Sequence, residues 1–240
     1  MIAEVIYNVG RMCGRFTLLD LADFVAMFPW VAPPAQFAPR YNIAPSQPIL
    51  MLSNRAGGTL DHAIWGLLPQ WAKTGGEPPK LIINARCETL KHRPAFRGPL
   101  RYRRCIVPAS GFYEWKRVMS GKQPYYITLA DRHPMLMAGL WEDSHDGSGG
   151  EIRTACVITT AANSFMRELH DRMPAILTKD QAMRWLKAPE VEVESLVDIL
   201  RPYPGELAGD RVSSKVNSPC NDTRECIEPS TTPDDKGLFG

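Results

Sequence analysis

No Cys-x-x-Cys pair occurs in this chain; its six cysteines, Cys13, Cys87, Cys105, Cys156, Cys220 and Cys226, stand singly along 240 residues. That spacing supplies neither a tetrahedral zinc site nor a disulfide framework, so reduced thiols and no bound metal are expected. No apolar run approaches the roughly 18 residues that span a bilayer. The first eleven residues, Met1 to Arg11, lack the basic start and long apolar stretch of a signal peptide. Internal repeats are missing as well. These absences exclude a membrane span, a secreted disulfide scaffold and a solenoid, and they place the protein in the cytoplasm.

What is present is an ordinary globular composition, 44% hydrophobic and 22% charged, long enough to bury a sizeable core. The net charge of +2 is unevenly spread. Residues 1–185 hold 22 Lys/Arg against 15 Asp/Glu, and residues 186–240 hold 6 against 11, so +7 and −5 make the +2. The basic body has charge to spare for an anionic partner.

A short strand is predicted over Cys13–Leu18, followed by an Asp20-capped amphipathic helix to Phe28 with Leu21, Phe24, Val25 and Phe28 on one face. Strands are predicted at Ile49–Leu52, Leu60–Leu67, Leu81–Ala85, Cys105–Pro108, Tyr125–Ala130, Met135–Trp141 and Ile152–Thr160. Helices are predicted at Asn163–His170, Lys179–Trp185 and Val193–Leu200. Short turns joining many strands point to one β-rich α+β domain of mixed or antiparallel sheets with flanking helices, over residues 12–204. Residues 205–240, rich in Pro, Ser, Thr, Asp and Gly, read as a mobile tail.

Met12-Cys13-Gly14-Arg15 has the form of a protein start. Were Met12 the initiator and removed, Cys13 would carry a free α-amine beside its thiol. An α-amine has a pKa of ~8, so about a tenth is neutral at pH 7, whereas a lysine at ~10.4 is almost wholly protonated. The amine can condense with an aldehyde and the thiol can then close a thiazolidine ring. From Cys13 alone, an internal cysteine packed in a first strand is the safer reading. Residues 1–11 are accordingly taken as an extension, either upstream of the true start or removed.

Three further stretches could serve such chemistry. In Ile82-Ile83-Asn84-Ala85-Arg86-Cys87-Glu88-Thr89, Asn84 can hydrogen-bond a substrate and Arg86 a phosphate, or both can be ordinary surface polar groups. In Arg104-Cys105-Ile106-Val107-Pro108-Ala109-Ser110-Gly111-Phe112-Tyr113-Glu114-Trp115, Glu114 sits between aromatics. That setting either desolvates it for acid/base work or hides a structural ion pair. In His170-Asp171-Arg172-Met173-Pro174, His170 either complements a helix end or moves a proton. The run from Arg86 to Arg104 holds seven Lys/Arg and one acid, Glu88, with Phe96 and Tyr102 interleaved. This is the composition of a single-strand-binding groove and equally of a solvated face. Trp65 is assigned to the core and Trp71 to a stacking role.

Together these segments resemble the SRAP family (SOS response-associated peptidase), whose members sense abasic sites in single-stranded DNA. The resemblance is carried in order by Met-Cys-Gly-Arg-Phe at 12–16, Arg-Tyr-Asn-Ile-Ala-Pro at 40–45, Trp-Gly-Leu-Leu-Pro-Gln-Trp at 65–71, Asn-Ala-Arg-Cys-Glu-Thr at 84–89, the segment 104–115 and His-Asp-Arg-Met-Pro at 170–174. It implies an abasic-site sensor that crosslinks to DNA through Cys13, with Asn84 orienting the sugar or amine and with Glu114 and His170 moving protons. It further implies that Arg15, Arg86 and Arg172 hold phosphates. Asn42, Pro45, Trp71 and Thr159 (or Thr160) would line the path of the strand. The implied partner is single-stranded DNA bearing an abasic site, bound by a monomer without metal or organic cofactor. Two other readings fit the same residues: a cysteine hydrolase in which His170 and Glu114 assist a Cys13 thiolate, and a non-covalent single-strand-binding module.

Overall fold

Alternating and fully apolar runs of β-branched and aromatic residues build most of the chain into strands. The computed structural model describes residues 13–55, 57–72, 81–119, 121–145 and 150–230; the extension before Met12 and the last ten residues lie outside them. In order, the elements are β1 (Phe16–Leu18), α1 (Ala22–Met27), β2 (Arg40–Ile43), β3 (Pro48–Ser53), β4 (Asp61–Trp65), β5 (Asn84–Arg86), α2 (Pro94–Tyr102), β6 (Arg104–Ala109), β7 (Gly111–Val118), β8 (Gly121–Leu129), β9 (Met135–His145), β10 (Glu151–Ala161), α3 (Ser164–Arg167), β11 (Arg172–Pro174), β12 (Ile176–Leu177), α4 (Lys179–Lys187), α5 (Val193–Leu196) and β13 (Leu207–Arg211). The α+β class, with mixed sheets, is the one expected.

One sheet has the order β13-β8-β7-β1-β2 and is antiparallel throughout. The second runs β11-β10-β4-β3-β6-β9-β12, with β5 also on β10. Because β9 and β10 pair directly as a long hairpin, strands β10, β4, β3, β6 and β9 close on themselves. β10 runs parallel to β4 and to β5 and antiparallel to its other partners. The sheets meet where Phe16 of β1 packs edge-on against Trp65 of β4, ring centroids 5.0 Å apart. Trp65 is fully buried as expected, and its indole N–H donates to the Ile83 carbonyl at 3.0 Å. Cys87, Cys105 and Cys156 are buried among apolar neighbours, also as expected.

The helix after β1 departs in detail from expectation: its N-cap is Leu21, and the Asp20 carboxylate accepts from the Ala22 N–H. The helix expected over Asn163–His170 is the shorter α3, capped by Asn163, whose side chain accepts from the Met166 N–H.

The tail expected from residue 205 is corrected by the structure. β13 pairs with β8 over five residues, Leu207 opposite Leu129 through Arg211 opposite Tyr125. Val212, Val216 and Cys226 then bury against Tyr113 and Tyr126 as a second apolar cluster. The polar residues that resemble a tail are binding partners. Asp222 ion-pairs with Arg40 and accepts from the backbone N–H groups of Tyr41 (2.5 Å) and Asn42 (2.8 Å). Glu225 pairs with Lys215. The segment 205–230 is therefore part of the domain, clasped onto β2. Asp222→Ala leaves those two N–H groups without their acceptor and is expected to lower stability by roughly 2 kcal/mol, read as a shifted urea midpoint. An unchanged midpoint would show that water substitutes freely at this clasp.

Candidate functional site

β1 begins where β7 and β5 converge, and this places Cys13 against Glu114 and Asn84. Cys13 is 1% exposed and adopts φ 47°, the left-handed region that side chains other than glycine's avoid. Its backbone nitrogen donates to Glu114 Oε2 at 3.2 Å. Its carbonyl accepts from the Asn84 amide at 3.5 Å. The other Glu114 oxygen accepts from the Trp115 N–H at 3.1 Å.

Glu114 is 4% exposed. Burial raises its carboxyl above the usual carboxylate range; the charge of His170, the N–H groups of Trp115 and Cys13, and Lys122 oppose that shift without cancelling it. Desolvation is therefore the setting of Glu114, with no Arg or Lys ion pair among the described residues. The same burial, reinforced by the Glu114 charge, pushes the Cys13 thiol far above its ordinary value, so the sulfur here is a thiol.

His170 follows α3 and faces Glu114 closely enough to be the largest influence favouring the ionised carboxylate. Its Nδ1 has two partners. The Arg172 N–H donates to it at 3.1 Å, and Asp171 Oδ1 lies 2.8 Å away. A neutral imidazole accepts the first; an imidazolium donates to the second.

The other expected contacts divide sharply. Arg86 is exposed at the end of β5, opposite Thr159, with no carboxylate partner among the described residues. Trp71 is 67% exposed. Both face outward as a phosphate holder and a stacking residue would. Arg172 is instead committed to Glu88 through both terminal nitrogens, at 2.5 and 2.9 Å, and to the Thr159 carbonyl at 2.8 Å. Arg15 is spent on Asn42 Oδ1 (3.0 Å) and on the Val216 (2.6 Å) and Asn217 (3.1 Å) carbonyls. Asn42 is fully buried and donates to the carbonyls of Val216, Ser218 and Asn221. Pro45 and Thr159 are buried too. Arg15, Asn42 and Arg172 are thereby held by partners within the protein, and these contacts fix the floor of the site.

Sequence reasoning missed the C-terminal share of this floor. Asn217 accepts from the Trp115 indole N–H at 2.7 Å, one residue from Glu114. The signal lay in Val216 and Cys226, apolar residues inside a polar stretch. Among the described residues no cluster of His, Cys, Asp or Glu could hold a metal ion, and no helix is long and apolar enough to cross a membrane.

Comparison with known proteins supplies relatives over most of the chain. Abasic site processing protein YoqW of Bacillus subtilis is 41% identical over 223 residues, covering 90% of this chain and 99% of that protein. Abasic site processing protein HMCES of Gallus gallus is 34% identical over 227 residues, covering 81% and 67%. Escherichia coli YedK, with the same description, is 30% identical over 235 residues, covering 91% and 100%. A crystal structure of a Bacteroides thetaiotaomicron protein shares the fold, with TM-score 0.76 at 24% identity over 91% of this chain and 100% of that one. The family model for SOS response associated peptidase (SRAP) matches residues 12–219, starting one residue before Cys13 and running through the segment that holds Arg15. This chain belongs to the SRAP family.

Proposed function

We propose that this protein acts in the response to DNA damage, capturing abasic sites in single-stranded DNA as a covalent thiazolidine formed by Cys13. The observation that carries the reading is the contact between the Cys13 nitrogen and the Glu114 carboxylate, 3.2 Å apart with both residues buried. Four abasic-site relatives at 30–41% identity are named for that lesion in Bacillus subtilis, Gallus gallus and Escherichia coli.

In the chain as given, the Cys13 nitrogen is a peptide N–H. The reading requires it to be an amine, and the family match beginning at Met12 supports that start. The neutral amine attacks the ring-opened aldehyde carbon of the sugar to give a carbinolamine. Its hydroxyl leaves as water, leaving an imine. The Cys13 sulfur then bonds to the imine carbon while the thiol proton passes to the imine nitrogen, so the finished adduct weighs protein plus DNA less one water. Glu114, whose proton is held by burial, protonates the departing hydroxyl, and His170 exchanges protons with it. Asn84 fixes the Cys13 carbonyl and with it the direction of the amine. Arg86 and Trp71 are available to the flanking strand. An intact nucleotide offers no aldehyde, which gives the selectivity.

A hydrolase using a Cys13 thiolate fits less well. Burial and Glu114 both oppose the thiolate, and Glu114 bonds the Cys13 nitrogen in the place where a triad would have it orient His170.

Protein beginning at Met12 and protein beginning at Met1 should be incubated with a single-stranded oligonucleotide carrying one abasic site, then resolved by denaturing gel and intact mass. The Met12 form is expected to give the adduct and the unprocessed Met1 form none. A Met12 form without an adduct defeats the proposal, and equal crosslinking by unprocessed Met1 protein removes the need for an amine. Cys13→Ala is expected to abolish the adduct while reversible binding persists, a separation that a gel shift run beside the denaturing gel reads directly.

A further inference from the structure

The basic run from Arg86 to Arg104 has no task in the chemistry at Cys13. Folding sorts it. Phe96 is 1% exposed and anchors α2 in the core, whereas Tyr102, 38% exposed, ends α2 at the surface. Arg97 and Arg101, one helical turn apart, are exposed. Two open cavities share Arg101 and Tyr102 as a common wall. One, of ≈ 380 Å³, is lined also by Lys91 and Arg97. The other, of ≈ 570 Å³, lies between the ends of α2 and α4 and is lined by Arg55, Lys187 and Glu190. Neither includes Cys13, Asn84, Glu114 or His170 in its walls.

Arg55, Arg101 and Lys187 form no ion pair with a carboxylate among the described residues. Arg55 lies over the Trp141 ring at 5.6 Å and Lys187 over the Trp30 ring at 5.3 Å, so aromatic faces hold two of these cations at the groove. Glu190 is the single acid lining either cavity, and its charge acts on buried Arg104. Cations gathered in one groove repel each other unless an anion joins them. A chain of evenly spaced anions with stackable faces suits a basic strip continued through two cavities around one exposed tyrosine.

We propose that the α2–α4 groove is a second, sequence-independent binding site for single-stranded nucleic acid, gripping the backbone with Arg97, Arg101, Arg55 and Lys187 and stacking a base on Tyr102. It is independent of the Cys13 chemistry and acts on undamaged strands.

The test is fluorescence anisotropy of an undamaged oligothymidylate of about 20 nucleotides, longer than most single-strand site sizes, titrated across a range of salt. For Arg55→Ala/Arg101→Ala/Lys187→Ala, affinity at low salt is expected to fall at least tenfold. The slope of log K on log salt should shrink by about 2, near 0.7 for each of three lost phosphate contacts. Tyr102→Ala is expected to weaken binding about fivefold or more with the slope unchanged, as loss of a stacked base requires. All four side chains are at the surface, and thermal denaturation confirms that the variants remain folded. A folded triple variant with parental affinity and slope overturns the proposal. Duplex DNA that loses as much affinity in the triple variant, with Tyr102→Ala silent on both substrates, overturns the assignment to single strands. Adduct yield at saturating abasic-site oligonucleotide should be the same in triple variant and parent, so failure of the groove and failure of the Cys13 reaction are read separately.

Discussion

Glu114→Gln is expected to slow adduct formation by about 10²–10⁴-fold, the range that one positioned acid or base supplies, while the protein becomes no less stable at pH 7. The two effects share a cause. Burial raises the folded carboxyl above its ordinary value of 4.5, so the folded state holds this proton more tightly than the unfolded chain. The stability it contributes is complete below the unfolded value and is lost as pH climbs through the folded one. At pH 7 the buried carboxyl is therefore a liability to the fold, because burial disfavours its charged form. Glutamine keeps the shape and one acceptor oxygen for the Trp115 N–H without the charge. Its amide faces the Cys13 nitrogen, which as a neutral terminal amine accepts a hydrogen bond. Thermal denaturation at pH 4 and pH 7, beside adduct time courses, checks both halves. The variant's advantage in melting temperature should be present at pH 7 and shrink toward pH 4. A variant that crosslinks at the parental rate would remove Glu114 from the reaction. One that loses stability at pH 7 would mean that its two backbone hydrogen bonds outweigh the cost of burying its charge.

The strands at Ile49–Leu52, Met135–Trp141 and Ile152–Thr160 were legible because their apolar runs are long and bounded by turns, and the folded strands contain them with only their ends extended; the one expected at Tyr125–Ala130 starts earlier, at Gly121, and stops one residue short, at Leu129. The motifs around Cys13, Asn84, Glu114 and His170 were legible for another reason: each joins an apolar strand to polar groups with no need of their own for burial. α2 was hidden by Gly98 and Pro99, which lower helix propensity. Pro99, sixth in the helix, removes one backbone hydrogen bond, and Phe96 and Leu100 restore the helix by packing. β13 was hidden because Leu207-Ala208-Gly209-Asp210-Arg211 carries little β propensity; the open edge of β8 imposes the pairing. For Arg15, Asn42 and Arg172 the sequence hides the partners that the fold supplies. Polar side chains in a motif can serve either a ligand or the backbone that frames it, and only burial and partners separate the two.

Arg104→Met is expected to cost about 3–5 kcal/mol, as breaking a buried charged network does, and it is the substitution here that most endangers the fold. Arg104 is 2% exposed, and burial lowers its pKa, yet a guanidinium keeps its proton. What sustains it is a set of carbonyls from two helix ends. Its Nη1 donates to Leu100 (2.9 Å) and Arg101 (2.6 Å) at the end of α2. Its Nε donates to Trp185 (2.7 Å) and its Nη2 to Ala188 (2.5 Å) at the end of α4. The last carbonyls of any helix lack intrahelical partners and carry the negative end of the dipole. One cation on β6 therefore caps two helices and fixes the distance between them. Methionine fills the volume and leaves four carbonyls without this donor. Lysine, with three donors on a point charge, should recover part of the loss, so the order of urea midpoints is Arg, then Lys, then Met. A methionine variant as stable as the parent would show that water reaches those carbonyls. Because α2 and α4 form the two walls of the proposed groove, Arg104→Lys carries a second expectation. It should weaken binding of undamaged oligothymidylate through groove geometry while the salt slope stays parental, since lysine keeps the positive charge at this position.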